Sequence, residues 1–336
     1  MPILGPQSGA FGGAGGLIRN CFDIMNLVNR RVPGYLAGDV LSAVNDAYHD
    51  VWDQITQLDD SYFTSIATVM VAVQAAEFDF AHNENGNLSA PVSNRIFQLD
   101  RIRISQLNDT NMYSAEPRSW NDPAFLTQQQ VIPQISSHTP PYYYIPFSKA
   151  SVLFARPLPV GTVIEVTFSF SFLELTFTQS GTITNAGTAV AGIGTSFTQL
   201  LGPDFLGALP GGGQDIEIGV ELQVNGRNYE VSTITDDTNL VTRVAITPAA
   251  NASTFVLSAI PDTPDAWART IADIATRNLF STNEEDLPQT ELWTRIAEES
   301  TQRMKDSVQE RTRQANPRVR RFPYGIVRRA RFSGVQ

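Results

Sequence analysis

Cysteine and histidine are scarce in this chain, and acid is missing from its last stretch. A single cysteine, Cys21, stands among 336 residues, which rules out an intrachain disulfide and a thiolate zinc cluster. The three histidines, His49, His82 and His138, lie far apart in sequence and leave little material for a metal or general-base site. No run approaches the roughly 18 to 20 apolar residues of a membrane span, and the N-terminus lacks the basic-then-apolar order of a secretory signal. Synthesis in the cytoplasm, with no membrane partner, is therefore expected. No Gly-x-Ser-x-Gly elbow, His-Glu-x-x-His pair or Cys/His nucleophile arrangement is present. Gly12 to Gly16 precede a helical pattern, but no Gly-Lys-Ser/Thr follows, so a flexible leader is expected and not a phosphate cradle. Ala81 to Gly86 imitate the middle of a calcium loop, yet they put Ala81 where the first carboxylate ligand must stand, and a turn is the better account. The sequence gives no positive support for an enzyme, a cofactor or a metal. Carboxylates are abundant, however, and a paired Asp/Glu site stays open.

What is present is a folded composition, 42% apolar and 17% charged, long enough for two domains of ordinary size. The charge is unevenly distributed. Residues 1–310 hold 34 acids and 16 basic residues, a net −18, whereas 311–336 hold eight arginines and no acid. Such polarity usually marks an interaction arm on an acidic body. In that arm Phe322, Tyr324, Ile326 and Phe332 alternate with the arginines, and Arg together with aromatics favours docking over a merely solvated tail.

The periodicities divide the chain further. After a Gly- and Pro-rich leader (1–16), apolar residues from Leu17 to Val28 recur at helical spacing. A second helix is expected from an N-cap near Asp39 to about Asp60, with Val40, Val44, Ala47, Val51, Ile55 and Leu58 on one face. Strands are expected at Ile66–Val73, Ile96–Ile104, Tyr142–Ile145, Val152–Phe154 and Val163–Leu175, while 105–141 reads as irregular. Residues 176–258 are rich in Gly, Thr, Val and Ile with closely spaced turns. Asn225-Gly226 there is a strong hairpin signal. Two helices follow, the first opened by Thr263-Pro264-Asp265, the second by Pro288 and Thr290. The expected fold class is α+β, with a helical bundle formed by the N- and C-terminal helices, a β-strand region, and an inserted small all-β barrel or sandwich. The expected domains are the leader 1–16, a first half 17–175, the insert 176–258, a second half 259–312 and a basic docking arm 313–336.

Three stretches together resemble the head-to-tail connector, or adaptor, proteins of tailed bacteriophages. They are the opening helical pair with "VLSAVNDAYHDVWD" (Val40–Asp53), the segment "YYYIPFSKASVLFARPLPVGTVIEVTFSFSFLEL" (Tyr142–Leu175), and the C-terminal helical pair that ends in a basic tail. The insert looks like a small β domain scattered among phage structural proteins. The resemblance implies a virion protein at the head–tail interface, in a ring commonly of twelve subunits. That ring would sit beneath the portal protein, extend the channel through which genomic DNA passes, and carry a tail or nozzle protein. The arm would then dock on the portal through Arg318, Arg320, Arg321, Phe322, Tyr324, Arg328, Arg329, Arg331 and Phe332. Another tail, baseplate or fibre-attachment protein is the alternative in the same class. A receptor- or sugar-binding protein and a nucleic-acid-binding protein acting through the basic tail stand further off.

Overall fold

The computed structural model describes residues 20–59, 62–83, 85–93, 95–105, 111–130, 141–201, 214–215, 219–282 and 287–315. The expected leader and residues 316–336, with all nine docking residues, lie outside them.

Helix α1 (Cys21–Arg31) is capped by Asn20, whose side chain accepts from the Asp23 amide at 2.9 Å. Asp23 sits in its first turn and Arg30 and Arg31 in its last, matching the helix dipole. Helix α2 (Ala37–Leu58) follows and buries Val40, Val44, Ala47, Tyr48, Val51, Trp52 and Ile55 along one stripe. Its N-cap is Leu36, three residues before the expected Asp39, and makes no side-chain cap.

Seven strands then form one sheet: β1 (Thr64–Met70), β2 (Ala75–Asp79), β3 (Ile96–Ser105), β4 (Met112–Pro117), β5 (Tyr142–Pro146), β6 (Ser151–Leu158) and β7 (Val163–Phe170). Their order is β1-β7-β3-β4-β5-β6-β2, antiparallel except for the parallel β4–β5 pair. Ile102, Ile164, Val166 and Phe168 from one half share a single core with Phe78, Tyr144, Val152 and Phe154 from the other, so the sheet folds over onto itself. Helix α3 (Pro123–Gln130) covers the back of β5 and β6, with Phe125 against Ile145 and Ala155. The stretch expected to be irregular thus contains β4 and α3.

The second sheet is built from β8 (Phe177–Thr178), β9 (Thr182–Ala186), β10 (Ala189–Ile193), β11 (Gln214–Asp215), β12 (Val220–Val224), β13 (Arg227–Asp236), β14 (Asn239–Thr242) and β15 (Phe255–Ala259). It runs β8-β15-β12-β13-β14-β10-β9, with β11 beside β13. It also curls, because the Ile183 amide of β9 bonds the Ser253 carbonyl at 2.9 Å just before β15. Asn225 and Gly226 both take positive φ in the β12–β13 turn, the geometry a tight type I′ hairpin requires. Helices α4 (Ala268–Ser281) and α5 (Leu287–Ala315) close the described chain.

The expected helical bundle is not the frame of this molecule. The fold is mixed α+β and rich in strands, and the terminal helices have no core of their own. Ile24, Val44, Ile55, Ile271 and Ala297 share one core with Leu222, Leu257 and Phe255 of the second sheet. Strands β12 and β15 are accordingly buried on both faces: Glu221 accepts from Asn20 at 2.6 Å, and Ser258 Oγ accepts from the Phe22 amide at 3.0 Å. Helical periodicity identifies which face is buried but not what it is buried against. The same limit explains the long strand expected to reach Leu175. It stops at Phe170, and Phe172 leaves the alternation to pack on Tyr48 and Trp52 of α2.

Candidate interaction surfaces

The two cores meet at one buried node. Arg95, only 2% exposed, leads into β3 and donates to both carboxylate oxygens of Asp262, at 3.3 and 2.5 Å, and to the Ser171 carbonyl at 3.2 Å. Its guanidinium also lies 5.1 Å from the centroid of Phe170, a ring packed against both cores. On the far side the Tyr48 hydroxyl of α2 accepts from the Asp262 amide at 3.0 Å. Burial, reinforced by the Asp262 charge, pushes the Tyr48 phenol well above its ordinary pKa. One ion pair therefore joins the first sheet, α2 and the segment entering α4. A second, Arg31–Asp273 at 2.8 Å with Arg31 over the Trp293 ring at 4.7 Å, ties α1, α4 and α5 together. Asn45 adds a clamp, accepting from the Leu175 amide and donating to its carbonyl, on the linker between the sheets.

A row of half-exposed aromatics lies on the first sheet. Asp122 accepts from the Ala124 amide at 2.8 Å and starts α3, with Pro123 at its first position. Arg118 bridges Glu116 at 2.5 Å and Asp122 at 3.4 Å, and rests on the Tyr143 ring. This holds Trp120 in place, 5.4 Å from Phe147 and 6.4 Å from the buried Phe125. The Phe147 turn is fixed in turn by its amide bonding the Ser151 carbonyl and by Ser148 Oγ accepting from two amides. Lys149 extends the row, its ammonium 4.8 Å from the ring of Phe97. Trp120, Phe147 and Phe97 are each about half exposed, which is how the anchors of a protein contact present themselves. Sequence reasoning missed Trp120 because 105–141 has no periodicity, and Phe97 and Phe147, which stand outside that stretch, because nothing local links them to it. A Trp beside Asn-Asp-Pro was the one available signal.

The third surface is acidic. Asp39, Asp46, Asp50 and Asp53 of α2 are all exposed and fall within about 60° of one another around the helix, which carries no Lys or Arg. Arg277 of α4 comes within 3.7 Å of Asp50, and His49 within 3.4 Å of Asp53.

Among the described residues no group of three or more His, Cys, Asp or Glu is placed to hold a metal ion, and no helix is long and apolar enough to cross a membrane. His82 meets Asp79 at 3.5 Å in an exposed turn. A groove of about 200 Å³ between α4 and α5 is lined by Arg269, Asp273, Ile296, Glu299, Ser300 and Arg303, a mixed-charge set with no chemistry converging on one point. The residues expected to dock on a partner, Arg318, Arg320, Arg321, Phe322, Tyr324, Arg328, Arg329, Arg331 and Phe332, follow α5 and lie beyond the described residues. No protein-family model matches the sequence, and no curated protein matches it.

Proposed function

We propose that this protein is a structural subunit of a virus particle: a head-to-tail adaptor of a tailed bacteriophage, acting in the virion and not as an enzyme. Copies of it form a closed ring, of about twelve in the commonest arrangement of such adaptors, beneath the portal protein. The ring extends the channel for the genomic DNA and offers its far side to a tail or nozzle protein. The observation that carries this reading is the division of charge, −18 over residues 1–310 against eight arginines and no acid over 311–336. An arginine-rich arm can hold carboxylates of a portal bidentately, and the interleaved aromatics add apolar anchoring. An acidic channel wall lets DNA slide where a basic one would hold it. Two further features support the role. A ring subunit has to be a rigid wedge with heterologous side contacts, and here two cores are joined by the buried Arg95–Asp262 pair. The aromatic row around Trp120 supplies anchors for a neighbouring subunit or tail component.

The test is removal of residues 316–336, which leaves α5 intact to Ala315. Binding to purified portal rings, followed by co-sedimentation, is expected to be lost while the circular dichroism spectrum is retained. Undiminished binding by the shortened chain would overturn the assignment of the arm to the portal.

A further inference from the structure

The edge of a β-sheet presents a row of unpaired main-chain groups, and folded proteins close or guard such edges. Along their main paths the two sheets end in four edge strands, β1 and β2 in the first, β8 and β9 in the second. Three of them are guarded. β2 carries Glu77 and Asp79, its register against β6 shifts, and the Asn87 side chain donates to the Glu77 carbonyl at 2.9 Å. β9 is sealed where Ile183 and Ser253 exchange main-chain bonds at 2.9 and 3.0 Å. β8 is only two residues long.

β1 has none of these devices. Its sequence, Thr-Ser-Ile-Ala-Thr-Val-Met, holds no charge and no proline, and it pairs with β7 in one unbroken register from Thr64 to Met70. The Phe170 amide bonds the Phe63 carbonyl at 2.9 Å. Antiparallel alternation therefore turns the N–H and C=O groups of Ser65, Ala67 and Val69 toward β7, and those of Ile66, Thr68 and Met70 outward. Met70 is closed by Ser89, whose amide donates to its carbonyl at 2.8 Å. Among the described residues nothing bonds the outward main-chain groups of Ile66 and Thr68. The apolar side chains along this edge are open as well: Ile66 is 59% exposed, Met70 50% and Val73, just past the strand, 53%.

We infer that two copies of the free protein pair through β1, antiparallel about a two-fold axis, so that their first sheets join into one. The occupant is a second copy because this strand suits itself. It brings no charge to repel its own kind, and its outward donors and acceptors alternate in the pattern an antiparallel neighbour answers. Ile66 and Met70 lie on one face of the strand, where the same residues of the partner cover them across the joined sheet. A two-fold pair consumes both edges and stops at two copies. One strand pair is a small contact beside the roughly 1,200 Å² of a stable complex, so the dimer forms and dissociates with concentration. The inference concerns the protein alone and needs neither a portal nor a ring.

The experiment is sedimentation velocity on the full-length chain from ~1 to ~200 µM, with hydrogen exchange measured at both ends of that range. A shift from monomer to dimer is expected, with the Ile66 and Thr68 amides exchanging at least about threefold more slowly at the high concentration. Thr68→Pro removes one outward N–H and leaves the ladder to β7 whole, so this variant should stay monomeric with an unchanged circular dichroism spectrum. Ile66→Lys sets a charge on the edge without altering the main chain and should also stay monomeric. Trp120→Ala, which opens the separate aromatic row, should leave the dimer intact. A monomer throughout the range overturns the inference. So does a dimer that survives both β1 variants, or one that Trp120→Ala abolishes.

Discussion

Removing one partner of the Arg95–Asp262 pair should both destabilise the protein and uncouple its two cores. Asp262→Ala strands a guanidinium that is 2% exposed, and breaking a buried pair in this way costs about 3 to 5 kcal/mol. Asp262 is itself 22% exposed on its side chain, so water can enter the gap, and the lower end, about 3 kcal/mol, is expected. Arg95→Met keeps the volume but loses three charge-assisted hydrogen bonds, leaving a carboxylate that water can reach. About 2 kcal/mol follows, because each such bond contributes roughly 1.5 to 3 kcal/mol and the solvated carboxylate regains part of it. The double variant Arg95→Met/Asp262→Ala should cost well under the sum, with a coupling of about 2 kcal/mol. Urea unfolding followed by fluorescence of Trp52 and Trp267, both beside the node, and separately by circular dichroism, would measure this. Coincident transitions in the parent chain should separate in the single variants as the first sheet loses its tie to α2 and α4. Single losses that simply add, with a coupling below about 0.5 kcal/mol, would refute the role given to the node.

Burial pushes the Cys21 thiol up to about 12, so the native protein should resist a thiol reagent at about pH 8 and react only on unfolding; labelling at the rate of a free thiol would contradict the burial. Gly226→Ala should cost about 1 kcal/mol, since φ is +73° but the added methyl meets nothing. Gly181→Ala should cost about 3 kcal/mol, because φ is +89° and the methyl would strike the Ile193 and Gly194 backbone; equal losses in urea titrations would show that space is not what matters at Gly181. Asp236 is held below the usual carboxylate range by hydrogen bonds from Asn239 and Thr238. Its stabilisation is therefore present above about pH 4 and is lost as pH falls through its lowered folded value. Asp236→Asn should flatten the acid side of the stability profile by about 0.5 kcal/mol at most, since the group is mostly solvated, and an unchanged profile would speak against those bonds.

The elements that could be read in the sequence are those whose burial repeats along a single segment. The α2 stripe, the inward Ile164, Val166 and Phe168 of β7, and the Asn225-Gly226 hairpin each depend on neighbours within a few residues. What escaped depends on partners far along the chain. Asn20 with Glu221, Asn45 with Leu175, and Arg95 with Asp262 are separated by 201, 130 and 167 residues, and nothing local marks any of them as a partner. The helices looked like a bundle because their stripes are those a bundle would show, whereas the second sheet supplies much of their cover. β4 and α3 escaped for a different reason. Six residues of strand and eight of helix, set among Pro, Asn and Asp, are too short for a period to emerge, so Trp120 in the loop between them went unread.

The adaptor reading is tested most directly by mixing the full-length protein with its phage's portal ring and imaging the product by electron microscopy. The account predicts a stoichiometric ring stacked on the portal, coaxial with its channel, with density for residues 316–336 against portal carboxylates. Well-folded protein that never associates with the portal would contradict it.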